Sequence, residues 1–192
     1  MYNSQYQYTH DIDWFFMNGK MPIHVASNGG LLPNNIYKAI DLQNLQTKVE
    51  AMIPTSRFQL NSNAIEYYVR RNYDNLDDEF FENHEFPAYP KDIDFPEDTP
   101  SWLKAYAWSF AKMAQRGFYS FDRDMNTGQY FLVAMPTLEV LMPEDVQNLM
   151  YKLPVEYAMG IVPYSNSQIK QYRIVSSIDS YERLKNGKNN RM

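Results

Sequence analysis

Asn18-Gly19 is the feature that most constrains the fold of this chain. The dipeptide lies between residues 11–17 and 20–26, two runs dense in apolar and aromatic side chains. An Asn-Gly in that setting is the strongest short-range mark of a two-residue β-hairpin. It predicts two strands, then a turn at Ser27-Asn28-Gly29-Gly30. With Asn18-Gly19 as the loop, Met17 pairs with Lys20, Trp14 lies across from Ile23, and Asp13 lies across from His24. Alternation gives one face to Ile12, Trp14, Phe16, Met21, Ile23 and Val25, an uninterrupted core face. The opposite face takes Asp11, Asp13, Phe15, Pro22, His24 and Ala26, and is expected to be partly solvated.

A second hairpin is expected from residues 118–124 and 129–136, turning through Asn126-Thr127-Gly128 with Gly128 at positive φ. A third strand is predicted over 35–40 and another over 169–178. Between the hairpins, apolar residues recur at helical spacing. Leu42, Leu45, Val49, Met52 and Ile53 predict a helix over 42–53, capped by Asp41 and ended by Pro54. Ile65, Tyr68, Val69, Tyr73 and Leu76 predict one over 63–76, with Asn63 and Glu66 as its capping pair. Thr99-Pro100 and Gly117 bracket a third helix over 100–116, faced by Trp102, Leu103, Tyr106, Phe110 and Met113. Pro143-Glu144-Asp145 opens a short helix to about residue 153, and Asp179 would cap a last one. The expected fold is α+β: a mostly antiparallel sheet built from two β-hairpins, covered on one face by three main helices.

At 192 residues, a single domain over 1–192 is expected. Residues 1–9 read as a polar tail and 186–192 as a frayed one. The net charge of −5 conceals an uneven distribution. Residues 74–98 hold ten acids and one base, Lys91, and the four prolines Pro87, Pro90, Pro96 and Pro100 rule out a long helix. Residues 77–98 therefore read as an acidic, proline-rich connector, anchored by Phe80, Phe81, Phe86, Tyr89 and Phe95 and expected to pack on the basic tail. That tail, from residue 168 on, has six bases against two acids.

Several function classes have no support. Without cysteine, thiolate catalysis, disulfide scaffolds, zinc fingers and iron–sulfur ligation are excluded. No signal-peptide pattern and no run of eighteen apolar residues is visible, which predicts a cytoplasmic chain with no membrane span. Phosphate-loop, dinucleotide and nucleophile-elbow motifs are missing. His10, His24 and His84 lack metal-ligand spacing, and the strings His10-Asp11-Ile12-Asp13 and Asp92-Ile93-Asp94 read as a strand edge and a solvated loop. No metal and no cofactor is expected.

One arrangement acquires chemistry. Side chains directly opposed on a hairpin stand ~5 Å apart at Cβ, within reach of an Asp13–His24 hydrogen bond. A carboxylate so placed orients the imidazole and raises its pKa, as a general base requires. Ser27 and Asn28 follow the strand end, where Gly29 and Gly30 would expose backbone amides to an anion or carbonyl. His24, Asp13, Ser27 and Asn28 are thus the candidate catalytic residues of a small enzyme, but a cross-strand ion pair beside a glycine turn explains them more simply. The leading expectation is a non-enzymatic binding or regulatory module for a protein partner or small ligand, using the hairpin face or the acidic connector. Nucleic acid is an unlikely partner at this charge, although Tyr172, Arg173, Tyr181, Arg183, Lys185, Lys188 and Arg191 interleave aromatics with bases in a pattern that suits single strands.

Overall fold

The structure is a computed structural model that describes residues 4–72, 90–161 and 169–189. Its elements are α1 (Ser4–Thr9), β1 (Asp13–Asn18), β2 (Met21–Ala26), α2 (Asn34–Ala39), α3 (Leu42–Ala51), β3 (Phe58–Leu60), α4 (Ser62–Asn72) and α5 (Ser101–Gln115). They continue with β4 (Tyr119–Arg123), β5 (Tyr130–Pro136), α6 (Glu144–Gln147), β6 (Tyr151–Leu153), a 3-10 turn at Val155–Tyr157 and α7 (Ile174–Asn189). The strands form one six-stranded sheet in the order β3-β5-β4-β2-β1-β6.

The α+β class is as expected; the sheet is mixed, with three of its five strand pairings antiparallel and two parallel. Both hairpins are present, β1 with β2 and β4 with β5, and β3 adds antiparallel to β5. The hairpins join each other in parallel, β2 against β4, and β6 runs parallel to β1. A parallel neighbour needs a long crossover. The chain from β2 to β4, carrying α2 to α5, supplies one.

The first hairpin turns one residue later than expected. Asn18 pairs with Met21, so Gly19-Lys20 is the loop, and Gly19 takes the positive φ of 64°. Asn18 is held in the strand by its own side chain. Its Nδ2 donates to Met159 O at 2.9 Å and its Oδ1 accepts from Met159 N at 2.8 Å, while Gly19 N donates to Leu153 O at 2.8 Å. The slip changes every cross-strand partner but preserves the faces, so the assignment by alternation survives.

Both faces of the sheet are covered, which corrects the expectation of helices on one side. Trp14, Phe16, Ile23, Val25, Phe121, Tyr130 and Leu132 pack under Ile36 of α2 and Ile174 and Ile178 of α7. The other face divides in two. Phe131, Val133 and Ala134 meet α4 and α5, and Phe15 and Met17 meet Leu45 and Val49 of α3 with Met113 and Phe118. Uninterrupted runs such as Trp14-Phe15-Phe16-Met17 and 130–136 are what doubly covered strands require.

Four expected elements differ. Residues 34–39 are helix, with Ile36 and Ile40 four apart against the core. Residues 174–189 are helix, because Ile174, Ile178 and Tyr181 lie on one helical face. Only Tyr172 bridges a strand, and Asp179 is interior rather than a cap. Residues 4–9 are not a loose tail: the buried Gln7 side chain accepts from Leu32 N at 2.9 Å. The expected helix to 153 stops at Gln147, and residues 151–153 pair as β6.

The three main helices occur at 42–51, 62–72 and 101–115; residues 73–76 lie outside the described ones. Asp41 caps α3 by accepting from Asn44 N at 3.2 Å. Asp41→Ala is expected to cost about 1 kcal/mol, read as a lower urea midpoint at unchanged slope. The cap of α4 is Asn61, whose Oδ1 accepts from Ala64 N at 3.1 Å, not Asn63. Pro100 stands at the N-cap of α5 and no side chain caps it.

Candidate functional site

The mixed sheet creates a polar group that the hairpin alone does not contain. Asp13 is paired with Ala26, so His24 is its diagonal rather than its direct neighbour. The hydrogen bond still forms, His24 Nε2 to Asp13 Oδ1 at 3.1 Å. The parallel partner of His24 on β4 is Ser120, whose Oγ lies 3.2 Å from His24 Nδ1. Asp13, His24 and Ser120 therefore form a continuous chain across three strands.

Its surroundings limit its chemistry. His24 is 1% exposed and Ser120 is fully buried. The imidazole lies 5.2 Å from the Phe15 ring and 6.0 Å from that of Phe110, which α5 lays over this face. Both imidazole nitrogens are engaged, and a base must keep one for the proton it abstracts. A serine beside an Asp-oriented histidine is the composition of an acyl-transfer triad, but here the hydroxyl is sealed from any substrate. Neither the cleft beside Phe58, Leu60 and Trp102 nor the one beside Gly19 and Leu141 reaches His24. The Asp13 carboxyl sits below its usual range. Burial pushes it up, and the charge and hydrogen bond of His24 together outweigh that push.

Asp122 lies two residues along β4 on the same face. Burial raises its carboxyl to about 6, against the Tyr106 hydroxyl and the Arg123 amide that donate to it. Asp11 adds to the rise and His24 opposes it.

Ser27 and Asn28 do not join His24. The buried Ser27 Oγ accepts from Ile12 N at 2.8 Å and stands 3.4 Å from Asp11 Oδ1, which also accepts from Asn28 N at 2.6 Å. Asn28, at φ 41°, and Gly29, at φ 69°, form the turn, and Gly30 N closes it on Ser27 O at 2.8 Å. These residues fasten the end of β2 to the start of β1.

The other candidate strings disperse. His10 stacks on Tyr6 and Asp92 accepts from Trp108 Nε1 at 2.7 Å, so Asp92 anchors the connector on α5 rather than on the basic tail. Among the described residues no group of three or more His, Asp or Glu stands ready for a metal ion. Of the connector's aromatics, Phe95 is buried against Phe58; Phe80, Phe81, Phe86 and Tyr89 lie outside the described residues, as does most of the acidic stretch. In the basic tail, Tyr172 is buried on Phe121 and Tyr181 is packed on Tyr157, so neither offers a free stacking face. No helix among the described residues is long and apolar enough to cross a membrane.

Reading the sequence missed Ser120, Asp122 and Tyr106. The available signal was a strand, 119–123, with polar residues at alternate positions in an otherwise apolar setting. Which strand they would face was not readable, because β2 and β4 are parallel neighbours far apart in the chain. The chain matches no protein-family model, no curated protein and no solved structure.

Proposed function

We propose that this protein is a non-enzymatic binding module that takes a partner protein at the tip of its first hairpin. Burial of both hairpin faces moves the contact surface from the face to the tip. One observation carries the reading: large apolar side chains stand exposed on either side of Gly19, Leu141 at 90% and Val155 at 66%. Gly19, Met17, Leu141 and Met142 line a cleft of about 420 Å³ there, with Lys20, Glu139 and Gln147 at its polar margin. Val155 closes on Gly19 from the other side; a Cβ on that glycine would stand 3.4 Å from its Cγ2. Leu138 is exposed next to the cleft, and Tyr157 follows Val155 on the same 3-10 turn. Clustered exposed apolar groups with a polar rim mark interaction sites.

A photo-crosslinking side chain at position 141 tests the reading. It is expected to capture a discrete partner in cells of the source, and Val155→Asp is expected to reduce the capture at least tenfold. Tyr8→Asp, 61% exposed on α1 beside the turn that ends β2, is expected to leave it intact. Both substitutions at exposed sites should change stability by less than about 0.5 kcal/mol. Equal loss from both, or capture indifferent to both, overturns the proposal.

A further inference from the structure

At the opposite end of the first hairpin, where β2 and β4 finish side by side, Arg123 is a half-buried cation with little to bind. Its guanidinium makes one long hydrogen bond, Nη1 to Asn28 O at 3.4 Å, and among the described residues no carboxylate pairs with it. Two glycines make the room it occupies. A Cβ on Gly30 would stand 2.7 Å from its Cδ and Nε, and one on Gly128 would stand 3.2 Å from its Nη2. The side chain is therefore held in a fixed place with most of its donors unspent.

Two further donors lie on the same sheet face. Tyr130, directly across the ladder from Arg123, is 2% exposed, and its hydroxyl has no hydrogen-bond partner among the described residues. The ring of Trp14 stands 6.4 Å from that of Tyr130, and the buried Trp14 Nε1 has no acceptor either. A buried donor without an acceptor costs ~1–3 kcal/mol, so protein interiors rarely hold one unanswered. The Trp14 indole is such a donor, and Tyr130, against which it packs, is the cross-strand partner of an arginine whose fork suits the two oxygens of an oxyanion. The nearby acids do not fill this role: Asp11 serves Ser27 and Asn28, and Asp122 lies on the other face of the sheet with Tyr106.

We propose that this end of the sheet binds a small oxyanion, a carboxylate or phosphate group, between Arg123 and the Tyr130 hydroxyl, with the Trp14 indole beside it. Burial pushes the Tyr130 phenol up to about 12, so it remains a donor at neutral pH. The site is independent of the hairpin tip and of what binds there.

The test follows the three tryptophan indole N–H resonances of the ¹⁵N-labelled protein, assigned through Trp102→Phe and Trp108→Phe. Inorganic phosphate and acetate are titrated separately at constant ionic strength made up with chloride. The Trp14 resonance is expected to shift saturably, with a millimolar or tighter dissociation constant, for at least one probe. Saturation with phosphate alone, with acetate alone or with both identifies the class of oxyanion. Arg123→Gln is expected to abolish the shift and Tyr130→Phe to weaken binding at least fivefold. If Arg123→Gln does not fold, Tyr130→Phe decides, since unchanged affinity there overturns the proposal. Shifts that never saturate with either probe, or that persist in folded Arg123→Gln, show an adventitious ion only and overturn it as well.

Discussion

Replacing His24 with alanine is expected to destabilise the fold by about 3–5 kcal/mol, more than any exposed-site substitution. The loss has two sources. Removing the ring leaves a cavity between Phe15 and Phe110, on a face that α5 seals. It also strips Ser120 Oγ, fully buried, of its partner at 3.2 Å, and an orphaned buried hydroxyl adds to the cost of the cavity. The acid limb should change too. The Asp13 carboxyl is held low by the charge and hydrogen bond of His24, which outweigh the upward push of burial. A depressed acid contributes stability that is complete above its unfolded value, near 4, and is lost as pH falls through its native one. His24→Ala should therefore fall less steeply below pH 4 than the parent chain. Urea melts at neutral and acid pH check both statements. A variant as stable as the parent would show that the Asp13–His24–Ser120 chain does not hold the three strands together.

How much of this was legible in the sequence follows from how local each feature is. The first hairpin is signalled within sixteen residues, and its side-chain alternation fixes the faces even when the register slips by a residue at the turn. Asp13 and His24 therefore meet even though the ladder makes them diagonal rather than directly opposed. The slip itself comes from Asn18 and Met159, whose contact spans 141 positions and has no local signature. The helices at 42–51 and 101–115 were readable because their apolar stripes and terminators are local. The segment at 174–189 misled because Ile174-Val175 favours a strand locally while Ile174, Ile178 and Tyr181 satisfy a helix against a face that only the assembled sheet provides. The same holds for chemistry. Ser120 and Arg123 become neighbours of His24 and Asn28 through the parallel β2–β4 contact, and that contact is a property of topology.

Asp122→Asn is expected to invert the usual sense of a carboxylate substitution by stabilising the protein as pH rises. Burial holds the native Asp122 carboxyl protonated up to about 6, whereas an unfolded aspartate ionises near 3.8. Between those values the unfolded state binds fewer protons than the native one, so the free energy of unfolding falls as pH rises. A gap of about two units corresponds to about 3 kcal/mol, present in full below pH 4 and lost by pH 7. The contribution of Asp13 runs the other way, complete above its unfolded value and lost as pH falls through its native one, so one carboxylate weakens the fold toward acid and the other toward neutral pH. Asparagine cannot ionise, and its carbonyl can still accept from the Arg123 amide that bonds Asp122 at 2.7 Å. The difference in stability between Asp122→Asn and the parent should therefore grow by about 3 kcal/mol from pH 4 to pH 7, measured by urea unfolding at each pH. Parallel curves across that range would mean that Asp122 ionises in the folded protein as it does in water. In that case the Tyr106 hydroxyl and the Arg123 amide, rather than burial, would govern its charge.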